Sequence, residues 1–180
     1  MELPGYYDIV VYRDIHFGRP VIAGTLIKPE DVIRELAKDM TFKEVIEAFH
    51  GQINSRQIQE CAKYAIDSIK ILKMGIVKPR INKKLKQHLE PSNYKYLDLN
   101  SDKYNPNVQG TDVKVTKVLK MISEGKEIRE ISEELKIPKE AVIEALIFSA
   151  SRIDDFHLAL SKYPDPTSVI IKSLNKIKMV

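Results

Sequence analysis

The 180 residues contain no tryptophan and a single cysteine, Cys61. One thiol leaves no disulfide to close within the chain, which excludes a disulfide-stapled scaffold and suits the cytoplasm. Cys61 falls on the apolar face of a helical pattern, where a buried, inert thiol is expected rather than a nucleophile. No apolar run approaches the length that crosses a bilayer, and the opening MELPGYYD lacks the charged-then-apolar form of an export signal. No membrane partner is expected. There is no Gly-rich phosphate loop, no Cys/His ligand spacing and no Ser-centred elbow. His16 has no second His or Cys at ligand spacing and reads as a surface turn residue. These absences point away from an enzyme and from any metal or cofactor. With 43% hydrophobic residues the chain can still bury a core, so it is not a disordered tail.

What is there occurs twice. Pro20, Ile22, Gly24, Thr25, Ile27 and Lys28 recur 86 positions later as Pro106, Val108, Gly110, Thr111, Val113 and Lys114. The same offset carries Val32, Ile33, Leu36, Glu44, Val45 and Phe49 onto Val118, Leu119, Ile122, Glu130, Ile131 and Leu135. After a two-residue deletion, Ile53, Ile58, Tyr64 and Ala65 meet Ile137, Val142, Phe148 and Ser149. A repeat fixes the unit of folding, here a short element duplicated once.

Each copy reads as short strands followed by three helices. YYDIVVY and PVIAGTLI have strand character, and KYLDL and PNVQGTDVKV are their counterparts. Val32, Ile33 and Leu36 follow Pro29 at helical spacing, with Glu30 and Asp31 at the positive end of that helix. Thr41-x-x-Glu44 and Asn54-x-x-Gln57 are capping patterns that open a second and a third helix. In the second copy Ile128, Ile131 and Leu135 precede a break at Ile137-Pro138, then Val142, Ala145 and Leu146. Two short helices, a turn and a longer helix form a helix-turn-helix arrangement, which a plain helical packing unit also shows. The expected fold is mainly α with short β-strands (α+β). Two tandem helix-turn-helix units, each preceded by short strands, would form a pseudo-dimer, with one small sheet joining the lobes. The divisions are 1–70, a linker at 71–93, 94–155 and a tail at 156–180.

GRPVIAGTLI ahead of such a turn resembles the family called domain of unknown function 433. Gly18, Pro20, Val21, Ile22, Gly24, Thr25 and Ile27 match its Gly-Lys-Pro-Val-Ile-x-Gly-Thr-Arg-Ile signature. Arg19 replaces the Lys, and Leu26 and Asp112 stand at the Arg position in the two copies. The resemblance spans about residues 7–70 and, more weakly, 94–155. It implies an antitoxin-like helix-turn-helix protein that binds double-stranded DNA and pairs with a PIN-like ribonuclease toxin.

Charge is unevenly spread. Residues 71–93 hold 6 Lys/Arg against 1 Asp/Glu, and residues 156–180 hold 4 against 1, whereas both repeats are slightly acidic. A clustered basic segment is what meets phosphates. Lys78, Arg80, Lys83, Lys84 and Lys86 are therefore candidate phosphate contacts, INKKLKQHLE being a short basic helix between Pro79 and Pro91. A solvated linker kept soluble by its lysines is the plainer alternative.

The third helices differ between copies. In the first, Arg56, Gln59, Glu60, Lys63 and Asp67 share one side, and Arg56, Gln59 and Lys63 suit base edges and phosphates. In the second, the aligned residues are Glu140, Ile143, Glu144 and Ile147, which suit protein. In the tail, Ile170, Ile171, Leu174 and Ile177 share a face behind Pro164-Asp165-Pro166. That face either covers Ile143 and Ile147 or serves a partner, a toxin or a second copy, and the hinge favours a partner. Two functions follow: a DNA-binding regulator or antitoxin, and a protein-binding module without a nucleic-acid role.

Overall fold

The computed structural model describes residues 1–12, 14, 16–79 and 82–179. Arg80, one of the expected phosphate contacts, lies outside them. Strand β1 (Ile9–Val11) pairs antiparallel with β2 (Pro20–Ile22), Ile9 opposite Ile22. Beyond β2 the Gly-Thr pair closes a tight turn. Gly24 holds φ at +76°, a conformation side chains disfavour. Thr25 Oγ1 donates to the Ile22 carbonyl at 2.9 Å and accepts the Ile27 N–H at 3.0 Å. Strands β3 (Leu97–Asp98) and β4 (Asn107–Val108) repeat the pairing, and Gly110 and Thr111 repeat the turn. The Pro-Val-Ile-x-Gly-Thr signature is thus turn chemistry, satisfied within the backbone.

Helices follow in the same order in both halves: α1 (Pro29–Leu36), α2 (Phe42–Ala48) and α3 (Ser55–Lys73), then α5 (Val115–Ser123), α6 (Ile128–Leu135) and α7 (Lys139–Leu160). Both expected capping boxes form. Thr41 and Glu44 exchange bonds at the start of α2, as do Asn54 and Gln57 at the start of α3. The α1–α2 turn passes through Asp39 at φ +67°, and the α5–α6 turn through Gly125, 86 positions later, at φ +91°. Between the halves lies α4 (Lys83–His88), a short basic helix capped by Asn82. Helix α8 (Pro166–Lys178) ends the chain.

The fold is mainly helical with short antiparallel strands, an α+β chain. The expected joining sheet is not formed: β1–β2 and β3–β4 are separate two-stranded sheets. Helices join the halves instead. First helix α1 packs on α7, first helix α5 packs on α3, and the two third helices contact each other. One continuous cluster results, with Ile33, Leu36, Ile58, Tyr64, Leu119, Phe148 and Ile153 fully buried in it. A helical stripe buries more apolar area than a two-residue strand, so the helices take the centre and each hairpin sits on its own third helix. Helices α3 and α7 run past residues 70 and 155, so those expected boundaries fall inside helices. Among the described residues no helix is long and apolar enough to cross a membrane.

Candidate nucleic-acid interface

A helix that reads the major groove needs a continuous uncovered face. Helix α3 does not have one, because α1, α2, α5, α7, α8 and β1 all pack on it. Of the expected reading residues, Lys63 is exposed and Arg56 is exposed but ion-paired with Asp8 at 2.7 Å. Gln59 is half-buried, its amide packed closely against Gly125 of the other half. Asp67 accepts a hydrogen bond from the Tyr6 hydroxyl at 2.6 Å. The periodicity places these residues on one side but carries no information that the chain's own hairpin covers it.

Glu60 lies on the same side and is buried. Its two oxygens accept the N–H groups of Tyr7 and Asp8 at 3.0 and 2.8 Å. Glu144, its counterpart on α7, accepts the N–H groups of Lys95 and Tyr96 at 2.9 and 2.6 Å. Each carboxylate therefore clasps the segment leading into the hairpin of its own half, and neither is left to accept from a base. Replacing Glu60 by alanine would leave two backbone donors without their acceptor, and the loss is expected to be about 1–3 kcal/mol. Urea unfolding of Glu60→Ala and Glu144→Ala measures it. Midpoints equal to the parent's in both variants would show the clasps to be idle.

The linker residues come together with a part of the chain the sequence did not link to them. The end of α3 and the turn after it (Leu72 to Pro79), α4 and residues 103–104 enclose a groove of about 560 Å³. Lys73, Lys78, Lys86 and Lys103 line it against one carboxylate, Glu90. Lys73 is held by Asp102, whereas Lys78, Lys86 and Lys103 make no ion pair among the described residues. Asp102 also accepts the N–H groups of Tyr104 and Asn105 at 3.0 and 3.2 Å. Burial would raise its carboxyl, but Lys73 and those two donors hold it below the usual range. Lys162 donates to the Lys78 carbonyl at 2.8 Å, bringing another cation close by. Of the other expected phosphate-binding residues, Lys83 is exposed on α4 and Lys84 reaches Asp154 at 3.4 Å. Lys103 and Tyr104 are site residues that the sequence reading does not pick out; the signal was the basic-aromatic pairing Lys-Tyr.

The expected protein-facing residues divide differently. Ile147 is 47% exposed, but Ile143 is half-buried and packs on the core. Helix α8 folds back on α3 and α7. Ile170 and Leu174 are fully buried there, and Ile171 and Ile177 pack half-buried on the same core. The tail therefore neither covers Ile147 nor stands free for a partner. The Pro164–Pro166 break turns the chain back so that the apolar face of α8 packs on α3 and α7.

Away from the groove, polar groups also meet inside the core. Tyr64 and Glu30 face the two nitrogens of His157, at 2.9 and 3.5 Å. Burial would raise the Glu30 carboxyl, but His157, aided by Lys28, holds it down at about 2. Cys61 is fully buried and burial pushes its thiol up, as its place on the apolar face implied.

The hairpin, the Gly-Thr turn and the three helices that follow make up the stretch that a family model recognises. Residues 9–65 match the family described as protein of unknown function (DUF433). The DUF433 match covers about a third of the chain, from β1 into the middle of α3. It takes in Glu60 and the turn built by Gly24 and Thr25, and ends before α4 and the lysine groove. No curated protein and no solved structure matches the chain.

Proposed function

We propose that the chain is a DNA-binding protein, a regulator or antitoxin-like component, that grips phosphates with the α4 groove instead of reading the major groove with α3. The observation that carries this is the convergence of four lysines on one concave surface with a single carboxylate among its lining residues. Such a surface attracts polyanions and releases their counterions on binding, which makes affinity fall with salt. We read the chain as a binding protein of the cytoplasm and not as an enzyme. Its halves are a duplicated unit paired within one chain, a reading that the reciprocal α1–α7 and α5–α3 packing and the twin Glu60 and Glu144 clasps support. A toxin or a second copy of the chain is the alternative partner, and the exposed Ile147 on α7 is the observation that favours it.

Fluorescence anisotropy on labelled duplex DNA at about 50 and about 200 mM salt tests the reading. Replacing Lys78, Lys86 and Lys103 together by glutamine is expected to weaken binding to every sequence. The slope of log affinity against log salt should fall by about 0.9 for each duplex phosphate that the variant no longer neutralises. Arg56→Ala should leave sequence preference unchanged, since Arg56 is engaged with Asp8. A triple variant that binds like the parent at both salts would remove the groove from the account.

A further inference from the structure

A surface that only neutralises phosphates has no need of an apolar floor, yet this groove has one. Leu85 of α4, Leu89 just past its end and the half-buried Tyr104 line it beside the lysines. Tyr104 packs on the core, and Asp102 holds its backbone N–H, so the aromatic residue is fixed before any ligand arrives. Lys103 Nζ lies over the Tyr104 ring, 5.1 Å from its centroid, a cation that swings aside onto a phosphate when a base takes its place on the ring. The volume, about 560 Å³, is that of a pocket for a small ligand or for one or two nucleotides. A duplex is too wide to enter and keeps its base faces stacked inside, so it would meet only the rim.

We infer that the groove takes an unpaired nucleic-acid strand, one base against Tyr104 and the flanking phosphates on Lys78, Lys86 and Lys103. Single strands are held in this way, by a cationic track with an aromatic platform, and stacking tolerates any base because each has a π face. The inference rests on the reading of this groove as the phosphate-binding surface, and adds the strandedness of the ligand. Asp102, the carboxylate nearest to Tyr104 in sequence, is occupied by Lys73 and two backbone donors, which lessens its repulsion of a phosphate.

The test uses the full chain and three labelled probes of about 12 nucleotides: a single DNA strand, an RNA strand of the same sequence and the DNA duplex. A single strand is expected to bind on the order of tenfold tighter than the duplex, and the stronger of the two single-strand arms identifies the sugar. Tyr104→Leu should lower single-strand affinity about tenfold with little effect on the duplex, while Tyr104→Phe keeps the preference. Thermal melts of both variants check that they fold. Tighter binding of the duplex, or a Tyr104→Leu protein that folds and binds single strands like the parent, would overturn the inference. If the three-lysine variant then still loses affinity for all probes, the phosphate-binding groove survives and only the strandedness fails. If that variant binds every probe like the parent, the groove reading itself fails.

Discussion

Ending the chain after Tyr163, and so removing α8, is expected to lower the melting temperature by on the order of 10 °C and to bring up binding of a hydrophobic dye. Ile170 and Leu174 are fully buried, and Thr167 and Ser173 are buried beside them. Burying an aliphatic side chain of that size contributes roughly 1.5–3 kcal/mol, an upper figure because the unfolded chain already hides part of its surface. Truncation also bares the surfaces of α3 and α7 that α8 covers. Several kcal/mol is a large share of the stability of a chain this size. Leu174→Ala alone should cost about 2–5 kcal/mol and follow the same direction. A truncated protein that melts with the parent would mean that α8 is detachable, as its position behind a Pro-Asp-Pro hinge suggests from sequence.

Asp155→Ala is expected to destabilise the protein by about 3–5 kcal/mol. Asp155 and Arg152 are both buried on α7, with Arg152 Nη2 2.6 Å from Asp155 Oδ2. The other Asp155 oxygen meets His88 Nδ1 at 3.0 Å, which ties α4 to α7. The guanidinium lies over the Phe148 ring, 4.8 Å from its centroid. Burial pushes Arg152 below the usual arginine range, and Asp155 opposes that shift. Without Asp155 a buried cation loses its counter-charge, and α4 loses its buried polar anchor to α7, keeping only the exposed Lys84–Asp154 contact. The cost arises from the stranded charge, so removing that charge as well should return much of the stability. Urea unfolding of Asp155→Ala, Arg152→Met and the double variant separates these terms. The double variant should be more stable than Asp155→Ala. If Asp155→Ala unfolds within about 1 kcal/mol of the parent, the buried pair is not holding this region.

Two polar clusters hold the elements of the proposed site in place. Lys86 and Leu85 stand on α4, which His88 and Asp155 fix to α7, and Tyr104 stands on a loop that Asp102 and Lys73 fix to the end of α3. An Asp155 variant that stays folded should therefore bind nucleic acid more weakly, although Asp155 does not line the groove.

The local features were legible in the sequence because their causes are local. Pro29 with Glu30 and Asp31, the Thr41–Glu44 and Asn54–Gln57 boxes and the Gly24-Thr25 turn depend on residues within a few positions of one another, and each forms. The 86-residue echo places the second set of elements where the first predicts them. What covers each face was decided only by the tertiary structure. Apolar periodicity marks the side of a helix that seeks burial without naming the surface it meets, so the tail face of Ile170 and Leu174 looks free from sequence. Charge type marks what Glu60 or Arg56 can do, but a hairpin brought across α3 determines that one accepts two N–H groups and the other pairs with Asp8. Lys78 and Lys86 were legible as basic, and Lys103-Tyr104 as a basic-aromatic pair, yet that they share one groove depends on long-range packing, in which Asp102 ties residues 103–104 to Lys73 at the end of α3.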